Sequence, residues 1–359
     1  MGKMEKKWRL SAGGAIVEDK IRERLEDDSR NIPSLLAYHF ICDVDDPVWV
    51  DDGFFTLTQM MEIRNTNRPI ELKPDQFSRV EEEFGGILRE LTSTTTTWPM
   101  DVAILRAKCD TFMIDNRGKR FRRELLEWMH ASLYNFIWFC EKKAITINPP
   151  ESSYAFDIWN ITRDRVPIPG TTLWRGENHR EADEDFHQEE KRLCRRVGCK
   201  LDGILFDNAT RVACFLILAA KDQVGGANGE AKSKQDFHHL ATIMNTVLRD
   251  LHSRVGHNPE ITCQMRVCGI LEHGRQWSVL TAQMTAGHVT VLRKNTMHPY
   301  PNGADDIEEW AAVMKDVMAV RQEIQKLIAL VKNNSTLLTL EDLQKPSCVL
   351  LPTPVKAKD

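Results

Sequence analysis

From residue 200 onward the chain changes its hydrophobic period. Residues 200–206 and 212–220 are strand-like runs separated by Asp207-Asn208-Ala209-Thr210, a turn signal. Residues 236–254 then carry Phe237, Leu240, Met244, Val247, Leu248 and Leu251 on one helical stripe. Three more strand-like runs follow at 262–271, 277–284 and 289–293. A long helix over 307–331 closes the series, with the stripe Ile307, Trp310, Met314, Val317, Ile324, Leu327 and Val331. The order β-β-α-β-β-β-α buries its apolar faces most simply as a mixed sheet covered by helices, so the expected fold class is α/β, with α and β elements mixed.

The half before this series reads as mainly helical. An amphipathic stretch covers 16–25, and 32–49 reads as a strand or buried segment closed by an Asp-rich turn. A Thr-capped helix is predicted over 56–64, a second helix over 74–91, and a Ser/Thr linker over 93–97. Residues 120–142 form the strongest helix of this half, with aromatics round most of its circumference, which predicts burial on several sides. Another helix is expected over 151–165, ended by Pro167 and Pro169. Residues 179–191 are charged, and 225–234 read as a flexible loop. The expected organisation is a helical region over 1–170, an α/β domain over 171–335 and a tail over 336–359.

A chain of 359 residues with 42% hydrophobic and 28% charged residues has the composition of a soluble protein with a real core. Its net charge of -4 gives no global argument for nucleic-acid binding, which would have to come from local basic patches such as Lys119, Arg120, Arg122 and Arg123. Nine scattered cysteines, no apolar segment after Met1 and no membrane-length apolar run point to an intracellular chain, nuclear or cytoplasmic, that does not use a membrane. The pairs Cys194/Cys199 and Cys263/Cys268 have four residues between the thiols and read as free thiols rather than zinc ligands. His238-His239 reads as a surface pair. Residues 225–233 lack the Gly-Lys-Ser/Thr ending of a phosphate loop, so no nucleotide cofactor is expected.

One set of residues suggests chemistry. A metal-dependent nuclease needs clustered oxygens to hold Mg²⁺ and a lysine to orient or deprotonate the attacking water. In the PD-(D/E)XK pattern an Asp lies on one strand, and an acid and a Lys lie two residues apart on the next, so both face that Asp. Asp202, followed by Gly203, meets the first requirement. Leu218 and Ala220 stand where the second acid and the lysine belong. Lys221 is one residue out of register, and Asp222 returns to the productive face; a bulge would be needed to bring Lys221 back. Glu177, after Trp174-Arg175-Gly176, and Glu151 are the candidate preceding acids. Each has a plainer use: Asp202-Gly203 as a turn, Glu177 as a partner of Arg175, and Glu151 as a helix N-terminal acid.

Beyond these residues, Trp8-Arg9-Leu10-Ser11, Gly14, Val17, Glu18, His39-Phe40-Ile41-Cys42-Asp43 and Trp49 lie in the same order as a known pattern. So do Glu151, Tyr154, Trp159, Arg175-Gly176-Glu177, Gly198-Cys199-Lys200-Leu201-Asp202-Gly203, and then Asp236, Leu240, Leu248, Arg249, Asp250, Leu251, Gly269 and Gly274. Taken together they resemble a large expanded family of uncharacterised proteins of early-diverging fungi with a C-terminal restriction-endonuclease-like domain. The resemblance implies a sheet flanked by helices and, in intact members, a divalent-metal site holding Mg²⁺ or Mn²⁺. It matches Asp202 to the strand Asp and Glu177 or Glu151 to the preceding acid, while the family's Glu is Leu218 here. The expectation is therefore a catalytically degenerate nuclease fold that needs no cofactor and binds DNA, RNA or a protein. The alternatives are an active nuclease using Asp202, Glu177 or Glu151 with Asp222 or Lys221, and a scaffold with a protein partner on the 307–331 helix.

Overall fold

The structure is a computed structural model that describes residues 7–26, 35–70, 106–107, 110, 123–142, 168–174, 201–210, 212–220, 227–273, 276–295, 297–299 and 306–334. The expected helices over 74–91 and 151–165, the linker over 93–97, the charged segment 179–191 and the tail 336–359 lie outside these residues.

The first elements build a small layer. Helix α1 (Val17–Glu26) turns Val17 and Ile21 inward, and α2 (Leu35–Tyr38) leads to β1 (Ile41–Asp43). After α3 (Val48–Asp51), Thr56 starts α4 (Leu57–Thr66) through a capping box with Gln59: Gln59 N donates to Thr56 Oγ1 at 3.3 Å and Thr56 N to Gln59 Oε1 at 2.9 Å. Trp8, Leu10, Val17, Ile21, Trp49, Phe55, Met60 and Ile63 pack into one buried cluster with Val289 and Val291. The Arg24 guanidinium lies 4.0 Å from the Trp49 ring centroid and pairs with Asp46 at 2.9 Å.

The Asp-rich turn after β1 carries a pH dependence. Burial pushes the half-buried Asp43 carboxyl up to about 7; the Asp45 N–H it accepts opposes this, and the charges of Asp45 and Asp46 add to it. A carboxyl raised in the folded state binds a proton that the unfolded chain has released, so stability falls as pH rises from about 4 to 7. Asp43→Asn keeps an acceptor for Asp45 N and removes the charge. It is expected to add about 1–2 kcal/mol above pH 7, after discounting for solvent screening, and to flatten that slope in urea titrations.

The aromatic-rich helix is α5 (Arg123–Lys142). Its inward face presents Trp128, Met129, Leu133, Phe136 and Ile137, while Tyr134 and Trp138 are exposed, so burial is confined to one side. Next comes β2 (Thr171–Trp174), a strand that the hydrophobic pattern does not predict. It lies antiparallel to β3 (Gly203–Asp207), which pairs antiparallel with β4 (Val212–Ala220). Helix α6 spans Ala227–Arg254, so 227–234 is helical rather than a loop. Ala227, Glu230, Ala231 and Lys232 are good helix formers that extend the helix ahead of Phe237.

Pro259 then nucleates α7 (Pro259–Thr262), with Asn258 as N-cap, which delays β5 to Arg266–His273. Strands β6 (Gln276–Gln283), β7 (Thr290–Lys294) and β8 (His298–Pro299) precede α8 (Ile307–Asn334). The eight strands form one mixed sheet in the order β1-β7-β6-β5-β4-β3-β2, with β8 beside β6. β1 pairs in parallel with β7, Ile41 opposite Thr290, so a strand from the N-terminal half completes the sheet of the C-terminal half.

Alternation along β5 separates the two helix layers. An added Cβ at Gly269 would sit 2.9 Å from Met244 Sδ, so a glycine there lets α6 close onto one face. Arg266, out of phase with Gly269, reaches Glu323 of α8 at 3.8 Å on the other. The α8 stripe of Trp310, Met314, Val317, Ile324, Leu327 and Val331 is buried, and Trp310 stacks on Phe136 at 5.9 Å between centroids. No described helix is long and apolar enough to cross a membrane.

Candidate functional site

The β3–β4 hairpin decides what stands beside Asp202. Asp202 precedes β3, is exposed, and donates its backbone N–H to the Ile217 carbonyl at 3.1 Å. Gly203 pairs with Ile217, and an added Cβ would lie 2.9 Å from Ile217 Cδ1, so this position has to stay small. One step back along the same register, Asp202 lies across from Leu218. Leu218 is 7% exposed and pairs on its other side with Leu271 of β5, while Ala220 pairs with His273. Leu218 thus puts hydrocarbon across the strand pair from Asp202, whereas a hydrated divalent cation requires a shell of oxygens.

Of the five candidate metal-site or catalytic residues, Asp202 is among the described residues, while Glu151, Glu177, Lys221 and Asp222 lie outside them. Among the described residues no three His, Cys, Asp or Glu side chains are grouped to hold a metal ion. Cys263 and Cys268 are free thiols: Cys263 Sγ donates to the Glu260 carbonyl at 3.5 Å, while Cys268 is buried in β5, where burial raises its pKa. Cys194, Cys199 and the Lys119–Arg122 patch lie outside the described residues. His238 and His239 are half-buried on α6 instead of fully exposed, and burial, then the neighbouring His239, pushes the His238 pKa down.

Two buried carboxylates, Asp207 and Glu18, tie elements of the fold together. Asp207 is 1% exposed and closes the hairpin turn: Oδ2 accepts from Thr210 N at 2.8 Å and Thr210 Oγ1 at 2.7 Å. Its Oδ1 meets Lys332 Nζ of α8 at 2.8 Å. Burial alone would raise this carboxyl, but Lys332 and Thr210 outweigh it and hold the pKa below the ordinary value. Glu18 is fully buried and accepts from Trp8 N at 2.9 Å and His288 N at 3.0 Å, which ties the N-terminal layer to the β6–β7 turn. The Asp-x-x-Thr turn is visible in the sequence; the charged partner of Asp207 and the use of Glu18 are not.

Comparison with protein-family models, curated proteins and solved structures found no match to this chain.

Proposed function

We propose that this chain is a catalytically degenerate restriction-endonuclease-like protein of the PD-(D/E)XK type, which binds nucleic acid without cutting it. The antiparallel run β2–β3–β4, followed by the α6 crossover to a parallel β5, supports a nuclease-like core. The observation that carries the loss of catalysis is Leu218, buried across from Asp202 where a second metal-ligating carboxylate belongs. Replacing that carboxylate by an isobutyl group removes a charge and leaves no oxygen to share the ion. In an active alternative, Asp202 with Glu177 or Glu151 and a displaced Asp222 or Lys221 would hold Mg²⁺ or Mn²⁺. Lys232 and Lys234 are exposed in the N-terminal part of α6, and their charge suits binding to a nucleic-acid backbone. A scaffold role through the 307–331 helix has less support, since the apolar stripe of that helix is already buried.

The test is incubation of single- and double-stranded DNA and RNA with Mg²⁺ or Mn²⁺, with gel shifts on the same samples and an Asp202→Ala control. Retarded but intact nucleic acid, weakened by salt and by Lys232→Glu with Lys234→Glu, is the expected result. Cleavage lost in Asp202→Ala would establish an active nuclease with a rearranged site. Neither cleavage nor retardation would favour a protein-binding role.

A further inference from the structure

Helix α4 presents three different sides. Met60 and Ile63 face the core and are buried. Glu62 and Gln59 hold the N-terminal turn: Glu62 accepts from Ser11 N at 2.8 Å, Ser11 Oγ at 2.7 Å and Ala12 N at 2.9 Å, and Gln59 Nε2 donates to the Ala12 carbonyl at 3.0 Å. The remaining side carries Leu57, Thr58, Met61, Arg64 and Asn65, all exposed. Leu57 is 66% exposed and Met61 54%, the two highest values for large hydrophobic side chains among the described residues. Four residues apart on one helix, they are neighbours and form a single apolar ridge.

The fold itself uses neither side chain. The helix starts through the Thr56–Gln59 capping box and packs through Met60 and Ile63, so polar residues at 57 and 61 would serve it equally well. Single exposed apolar side chains are ordinary on a protein surface. An adjacent pair at the most open part of a helix is the mark of a contact surface.

Charge is segregated about this ridge. Ahead of it, Asp51 at the end of α3 and Asp52 are exposed, and a methyl added at Gly53 would meet nothing within 4 Å. Beyond it, Arg64 lies in line with Leu57 and Met61, and Arg68 follows the end of the helix; both are exposed. Arg64 is shared with Asp45 at 3.3 Å, whereas Asp51 and Arg68 have no ion-pair partner among the described residues. A helix of 10 residues is about 15 Å long, so the unpaired acid and the unpaired base stand off opposite ends of the ridge.

We propose that the α4 ridge is the contact surface of a homodimer, with a second copy of this chain as its partner. About a two-fold axis through the ridge the two helices run antiparallel, so Leu57 of each copy meets Met61 of the other. The same rotation brings Asp51 of each copy toward Arg68 of the other. Antiparallel helices also set the positive N-terminal end of each beside the negative C-terminal end of its partner. A parallel arrangement would put like charges together instead. The order acid, apolar ridge, base therefore fits its own rotated copy. Two apolar side chains from each copy and two exposed ion pairs make a small contact, so the dimer is weak and forms as concentration rises. Helix α4 is tied to β7 through Arg293 Nη1, which donates to the Arg64 carbonyl at 3.3 Å, and β6, β5 and β4 separate β7 from β3. The surface is thus apart from Asp202 and does not depend on the function proposed for that region.

The test is sedimentation velocity of the full chain over a range from about 1 to about 200 µM, where a monomer–dimer equilibrium with a dissociation constant on the order of 10–100 µM is expected. Leu57→Asp combined with Met61→Asp should weaken association about 100-fold and leave a monomer. Asp51→Lys and Arg68→Glu should each weaken it about tenfold, since each change counts twice in a two-fold dimer. Mixing these two single variants should restore association. One ridge is then flanked by bases at both ends and the other by acids at both ends, which suits a heterodimer. Carrying both changes on one chain should restore the homodimer. The charge variants alter exposed, unpaired side chains and keep the test open if the apolar variant does not fold. A chain that stays monomeric throughout the range would overturn the proposal and leave the ridge to a different protein. A dimer that tolerates the Leu57 and Met61 changes would overturn it too, as would single charge variants that associate like the wild type or fail to recover on mixing.

Discussion

Gly287→Ala is expected to destabilise the fold by about 4 kcal/mol, a large effect for the addition of one methyl group. Gly287 has φ +59°, and an added Cβ would overlap Glu18 Oε1 and approach Trp8 N to 2.8 Å. Neither neighbour can give way cheaply. The Glu18 carboxylate is fully buried and holds Trp8 N and His288 N, so displacing it strands a charge and two donors together. Gly53→Ala is the control: its φ of +75° imposes the same left-handed strain, but nothing lies within 4 Å of the added methyl. That variant should lose only about 1 kcal/mol. Urea unfolding of both at unchanged m-value separates strain from overlap. Equal losses in the two variants would show that the Glu18 clamp is not rigid.

Asp207→Ala is expected to cost about 2–3 kcal/mol near pH 7. It removes the acceptor for Thr210 N and Oγ1 and leaves Lys332 facing a buried apolar strand end. The figure is below that for a fully buried pair because the Lys332 side chain is 39% exposed and can turn toward water. Asp207 has a lowered pKa in the fold, so its contribution is fully present above the ordinary carboxylate value of about 4. It is lost as pH falls through the lower folded value. The stability gap between wild type and Asp207→Ala should therefore be constant from about pH 5 upward and shrink in acid. A gap independent of pH down to about 2 would mean that shape, rather than charge, accounts for the loss.

The sequence by itself determined the order of the longer elements from β3 to α8, with the short α7 and β8 missed, together with the hairpin turn at Asp207 and the Thr56 cap of α4. These are local properties: hydrophobic period, turn chemistry and capping each act over a few residues. It also determined that an apolar residue stands at 218, from which the degenerate reading follows. Locality explains the misses. Helix formers at 227–234 were obscured by two preceding glycines, and Asn258-Pro259 started a short helix that moves the beginning of the next strand from 262 to 266. Strand β2 has too few residues to show a period. Only the tertiary structure decided that β1 would complete the sheet beside β7 and that Lys332 would neutralise Asp207. It alone fitted Glu18 under Gly287. Charge compensation and close approach depend on distances across the folded chain, and no local pattern of residues encodes those distances.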